Sequence, residues 1–304
     1  MKVLKLIGFI GLVFLISVLS ADEGPKIMVI NSNAAVDKYK IAQEEFTKSI
    51  PTPVMKLDLG DKKLKLQEIE DFLYDEYPDL VYCIGTKAYL IANKFISDRN
   101  IVFSSILNWH RLPLATKTYG VSSEFNPEMQ LTLYRYIFPG LKKIGVLYSN
   151  KYNKQWFNEA QKAAKEMGVE IIGKSLSKRR EILPELSELL KEMDALWLIS
   201  DPVIISDKKT LIEVFKLCDL NKKPILSYHS AFAEHGAVLV VSVDIPTTGR
   251  QAAAMSLEVL SDDVVKKKVQ LPAGSHIILN LRKANEYGLK YGETALSVVN
   301  RIIE

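Results

Sequence analysis

Two cysteines, Cys83 and Cys218, are all that this chain of 304 residues contains. A scaffold held by disulfides is therefore excluded, and the fold must rest on its apolar cores. Cys83 lies in a strand-like run, DLVYCIG, and Cys218 on a helical stretch of the other half, so both read as buried, unpaired thiols. Histidine is as scarce: His110, His229, His235 and His276 are the full complement, and none pairs at metal-ligand spacing. No metal and no cofactor are expected. The GxSxG elbow, the GxxxxGK[ST] phosphate loop and a GxGxxG after a strand are all missing. Ser105 and His110 have no acid at a spacing that marks a hydrolytic triad, so an enzyme is not expected. Excess charge is lacking too: 40 basic against 36 acidic residues give +4, too weak a balance for nucleic acid or an anionic membrane.

What is present begins with a leader. Lys2 and Lys5 precede an uncharged run over residues 6–19, and Val18-Leu19-Ser20 suits cleavage after Ser20. Asp22, Glu23, Gly24 and Pro25 then stop any helix. A positive start, a short apolar core and a small-residue end predict a signal peptide over residues 1–20 and a periplasmic mature chain. The run is shorter than the roughly 20 residues that span a bilayer. No cysteine follows it, which argues against a lipid anchor. Losing Lys2 and Lys5 leaves 38 basic against 36 acidic residues, a net +2.

The rest, 48% hydrophobic overall and 25% charged, has an ordinary globular composition. Short apolar runs alternate with amphipathic stretches. Strands are predicted at 26–31, 53–59, 80–85 and 101–107. Helices are predicted at 34–49 (Tyr39, Ala42 and Phe46 on one face), 62–77 (Leu66, Ile69, Phe72, Leu73) and 86–96. The rhythm restarts with strands at 142–149, 169–176, 195–200, 224–228 and 237–244, and helices at 154–167, 180–191 and 206–220. Residues 119–139 link the halves through a helix entered near Pro127. A helix at 246–260, two short strands (VQLP, HIILN) and a helix at 282–287 follow. The alternation predicts α/β architecture, two Rossmann-like units with parallel sheets covered on both faces.

Ligands of open α/β sheets sit beyond the carboxyl ends of the strands. The residues there are Ser32 after the first strand, Gly85 and Thr86 after the third, and Ser105 and Asn108 after the fourth. In the second half they are Ser149, Asp201, Tyr228 and Asp244. Each alone reads equally well as a helix cap; together they form a polar edge on both sheets, able to hydrogen-bond a small solute. Trp109 stands out as an aromatic in a polar loop, whereas Trp156 fits a helix face and Trp197 a strand core. Lys266-Lys267-Lys268 and Lys178-Arg179-Arg180 read as solvated faces.

KIMVINSN with Tyr39, Gln43 and Phe46, PDLVYCIGTKA, IVFSSILN, GVSSEFNPEMQL…FPGLKKIGVLYS and HGAVLVVSVDIPTTGRQAAAMSLEVL together resemble the substrate-binding proteins of ABC transporters, in the group that includes binders of tryptophan and other aromatic amino acids. The resemblance covers nearly the whole mature chain. It implies a type I periplasmic binding fold, two lobes joined by three crossovers and closing on a ligand. Its domains would be 24–122 with about 245–265, and 123–244 with about 270–304. It implies that Ser32 and Thr86 receive a polar head group beside Gly85, that Ser105 and Asn108 line the same side, and that Ser149, Asp201, Tyr228 and Asp244 face them. The chain departs from the amino-acid binders at Ser200-Asp201-Pro202 and Tyr228-His229, which leaves the ligand open. The expected role is a monomer that carries a small polar or aromatic solute, amino-acid-like in kind, to an ABC permease, without nucleic acid. The alternative is a ligand-binding sensory subunit for a membrane signalling protein.

Overall fold

A computed structural model describes residues 24–60, 64–261 and 265–304. The predicted leader lies outside these residues. In chain order the first part holds β1 (Ile27–Asn31), α1 (Asp37–Ser49), β2 (Val54–Asp58), α2 (Leu66–Glu76), β3 (Leu80–Ile84), α3 (Thr86–Phe95), β4 (Asn100–Ser104) and β5 (Thr118–Val121). The second part holds α4 (Pro127–Ile137), β6 (Lys143–Tyr148), α5 (Asn150–Glu166), β7 (Glu170–Ser175), α6 (Ile182–Leu189), β8 (Ala195–Trp197), α7 (Pro202–Ile205), α8 (Lys208–Leu220), β9 (Ile225–Ser227), α9 (Ala231–Glu234) and β10 (Leu239–Val243). The tail holds α10 (Ile245–Leu260), β11 (Val269–Gln270), β12 (Ser275–Asn280), α11 (Leu281–Glu286) and β13 (Arg301–Ile303). None of these helices is long and apolar enough to cross a membrane.

The strands form two sheets, in the orders β11-β5-β4-β3-β1-β2 and β13-β12-β10-β9-β8-β6-β7. The first is parallel throughout. In the second only β10 and β12 run antiparallel. In a strand buried on both faces, successive side chains enter opposite cores. Thus Ile27 and Val29 of β1 pack under α1 and α10, with Phe46 and Ala252, while Met28 and Ile30 pack under α2 and α3, with Leu73 and Tyr89. The second sheet is covered by α4, α5 and α11 on one face and by α6 to α9 on the other. Cys83 and Cys218 sit in different lobes, both buried and free. Burial pushes both thiols up, Cys218 to about 12.

The chain passes between the sheets three times. It leaves β5 for α4, which packs on the second sheet. It returns from β10 to α10, which packs on the first. It passes again from β11, the edge of the first sheet, to β12 in the second. Asn126 ends the first passage by accepting the Met129 N–H with its side chain, and Pro127 opens α4.

Predicted and observed elements differ at a few ends. The helix predicted from 34 starts at Asp37, because Asp58 accepts the Ala34 N–H and Asn33 the Ala35 N–H in a turn ahead of it. The helix predicted over 206–220 is α8, which starts at Lys208 where Asp207 caps it through the Thr210 N–H, and the short α7 ahead of it has no counterpart in the sequence reading. α5 starts at Asn150, four residues before its predicted start, with non-helical geometry at Asn153. β13, which extends the second sheet beside β12, has no counterpart in the sequence reading.

Candidate functional site

A cavity of about 200 Å³ opens where the carboxyl ends of the two sheets face each other. Its walls come from the turn after β4 (Asn108 to His110), the first passage between lobes (Ser122 to Pro127), α5 (Asn153, Trp156, Glu159), the loop after β8 (Ile199, Ser200) and Tyr228 after β9. A second chamber of about 120 Å³ shares Ser123, Tyr228, Ser242 and Val243 with it. That chamber adds Lys38, Ser105, Leu107, His229, Ser230 and Ile245.

Tight turns build the first-lobe wall. Ser105 (φ 59°) and Asn108 (φ 54°) both hold left-handed backbone geometry, unusual for residues with a Cβ, and so reverse the chain directly after β4. Glu124 fixes that turn: one carboxylate oxygen accepts the Asn108 N–H at 2.6 Å, and the other accepts the Ser200 hydroxyl. Asn108 donates its side-chain amide to the Ser200 carbonyl at 3.2 Å. Arg111 reaches across to the Tyr152 carbonyl (3.2 Å) and the Asn153 side-chain oxygen (3.1 Å). These bonds join the two lobes directly beside the cavity.

Aromatic rings contribute to the apolar surface, together with Ile199, Val241, Val243 and Leu271. Trp109 leans on Phe103 with ring centroids 6.4 Å apart, Trp156 meets Trp197 edge-on at 4.7 Å, and Tyr228 meets Phe232 edge-on at 5.7 Å. Each ring is thus held from behind and presents its free surface to the cleft. Burial, helped by the negative charges of Glu124 and Asp201, pushes the Tyr228 phenol up, so it stays a neutral donor. Burial and then the charge of Lys38 hold His229 below the usual imidazole range, and its Nδ1 accepts the Ala231 N–H at 3.2 Å.

The nine residues predicted for the site fall into four groups. Ser105, Asn108 and Tyr228 line the two chambers. Ser149 and Asp201 are brought together but are spent on each other: the fully buried Asp201 carboxylate accepts the N–H and hydroxyl of Ser149, the Asn153 amide and the Val203 N–H. Ser32, Gly85 and Thr86 meet at the start of α3, outside both chambers, where Ser32 Oγ accepts the Ala88 N–H at 3.0 Å. Gly85 has φ +85°, and an added Cβ would come within 2.7 Å of Ser32 Oγ, so glycine there serves a close approach. Asp244 caps α10 through the Thr247 N–H. Helix capping therefore accounts for the side-chain bonds of Ser32 and Asp244, and for one of the four that Asp201 accepts, the Val203 N–H. Trp156, Glu124, Ser123 and Lys38 were not among the nine. The polar run Ser122-Ser123-Glu124 between a strand and a proline-started helix was the available signal for two of them; Lys38 looks like any solvated helix lysine.

Two doubly wound lobes, three passages between them and a polar, aromatic-walled cleft at the facing strand ends define a solute-binding protein of the type I periplasmic class. The chain belongs to the ABC transporter substrate binding protein family, whose sequence profile matches residues 55–302. That family consists of solute binders, not enzymes. A tyrosine-binding protein of Clostridioides difficile (strain R20291) is 25% identical over 203 residues, 64% of this chain. The match spans 58% of that relative's own length. Among solved structures, a ligand-free, open substrate-binding protein with adhesive properties from Clostridium difficile superposes with a TM-score of 0.73 at 18% identity, covering 91% of this chain and 98% of that one. An ABC domain in complex with L-Trp from Streptococcus pneumonia superposes with a TM-score of 0.59 at 21% identity, covering 91% of this chain and all of that one. At these identities the two structures establish the shared fold.

Proposed function

We propose that this protein is exported, with its leader removed near Ser20, captures an aromatic amino acid between its lobes, and hands it as a monomer to an ABC permease. The observation that carries the ligand class is the cavity wall: Trp109, Trp156 and Tyr228 converge on one small space beside the carboxylate of Glu124. A volume of about 200 Å³ suits a single small solute. Burying one aromatic side chain contributes about 1.5–3 kcal/mol, and ring–ring geometry adds about 0.5–1.5 kcal/mol. The named ligands of the relatives, tyrosine and L-Trp, point the same way. Within the predicted set we assign ligand contact to Ser105, Asn108 and Tyr228, and we add Trp109, Trp156 and Glu124. The ligand touches both lobes and so stabilises their closed arrangement.

A thermal-shift and calorimetric screen of L-tryptophan, L-tyrosine and L-phenylalanine against L-leucine, L-glutamine and nucleosides tests this. A ligand at 100 times its Kd adds about 2.7 kcal/mol, which for a chain of this size raises Tm by roughly 5 °C or more. At least one aromatic amino acid is expected to do so, and Trp156→Ala to weaken it about tenfold or more. Stabilisation by leucine or a nucleoside, with none by the aromatic amino acids, would overturn the ligand class.

A further inference from the structure

We propose that the smaller chamber behind Tyr228 is a carboxylate-binding subsite, with the Lys38 ammonium as its cation and the Ser105 and Ser123 hydroxyls as its donors, so that the solute enters the cleft in one orientation. This rests on the capture of a small solute in the cleft and names the group that orients it.

Three features meet in this chamber. Lys38, in the first turn of α1, lines it and makes no ion pair among the described residues; its Nζ lies over the Tyr39 ring, 5.1 Å from the centroid. Ser105 and Ser123 line the same space, and their hydroxyls are buried with no hydrogen-bond partner. No Asp or Glu is among the residues lining the chamber. A buried hydroxyl without a partner costs about 1–3 kcal/mol, and two of them beside an unpaired cation form a set that an acceptor would complete. An ionised carboxylate is acceptor-only and offers about four lone-pair sites, enough for one ammonium and two hydroxyls at once.

The geometry is held rather than incidental. Ser105 is fixed by its left-handed backbone, and the Ser122 hydroxyl donates to the Glu124 carbonyl at 2.9 Å, which sets the turn that carries Ser123. The larger chamber, which shares Tyr228 with this one, carries Glu124. The cleft is thus cationic at one end and anionic at the other. A solute with its acid toward Lys38 gains at both ends, and the reverse orientation brings like charges together. Burial also lowers the Lys38 pKa, and a carboxylate beside the ammonium would oppose that shift.

Calorimetric titration of the full mature chain with L-tryptophan, L-tyrosine and 3-phenylpropionate, each against its own carboxamide, tests the subsite. The wild type is expected to prefer each acid that binds over its amide by about tenfold or more. That preference should collapse in Lys38→Met, survive in Lys38→Arg, and stay unchanged in Lys40→Met on the exposed side of the same helix. Ser123→Ala provides a second reading should Lys38→Met melt early. An acid preference that persists in Lys38→Met, or no preference in the wild type, overturns the subsite. If 3-phenylpropionate binds with a preference that depends on Lys38 while neither amino acid binds, the amino-acid reading fails and the subsite stands. If the amino acids and their amides bind equally, the subsite falls and the capture of aromatic amino acids stands. Binding of no carboxylate at all removes the subsite.

Discussion

Asp201 shows how a residue chosen for its chemistry can be committed to the fold. Its carboxylate is fully buried, and Oδ2 alone accepts three donors: the Ser149 N–H and hydroxyl at 2.7 Å each and the Asn153 amide at 2.6 Å. Asn153 in turn presents its oxygen to Arg111 on the other lobe. Asp201→Ala leaves those donors without an acceptor in the interior, so we expect a loss of about 2–4 kcal/mol, read as a lower urea midpoint. An unchanged midpoint would mean that solvent or relaxation replaces all the bonds. In the sequence, Asp201 and Ser149 were visible as polar residues after strands. Their mutual bonding was not, because 52 residues separate them and only the adjacency of β6 and β8 joins their loops. Lys38 is the reverse case. Nothing in its sequence neighbourhood separates it from Lys40, yet one lysine faces the cleft and the other faces solvent.

At the scale of elements, the pairing of α1 with α10 ties the tail of the chain to the first lobe. Gly249 makes this possible: a Cβ there would sit 2.6 Å from the Ala42 carbonyl oxygen and 3.0 Å from Glu45 Cβ. Beside the contact Arg250 donates to Glu45 at 2.6 Å. Gly249→Val must push the helices apart, which we expect to cost about 1–3 kcal/mol and to lower the calorimetric Tm. Gly140→Ala is the control, since a Cβ at that position meets nothing within 4 Å. A Gly249→Val protein that melts with the wild type would show that the helix pair yields freely. The helix over 246–260 was legible from its period, and its partner was not, because a helical stripe records that a face is buried without recording against what. β13 was illegible for another reason: three residues, Arg301 to Ile303, are too few to show a period of two.

For the whole molecule the question is how the lobes are held. Arg111 donates to Tyr152 and Asn153, and its guanidinium lies 4.9 Å from the Tyr152 ring centre. Asn108 adds a bond to Ser200. Arg111→Met removes one of these links, so we expect the ligand-free protein to open, with a larger radius of gyration in solution scattering. Apparent affinity should fall several-fold, because only the closed fraction binds tightly. Unchanged scattering and unchanged affinity would assign no role in closure to this contact. The alternation of apolar runs was enough by itself to determine two α/β units, since burial on both faces of a parallel sheet writes itself into local sequence as short continuous hydrophobic stretches. The order of the strands, the return of α10 and β11 to the first sheet, and the meeting of Trp109, Trp156, Tyr228, Glu124 and Lys38 around one cleft were decided by the tertiary structure alone. These residues come from five separate segments. Their proximity depends on which strands lie side by side and where the chain passes between the lobes, and no local period carries that information.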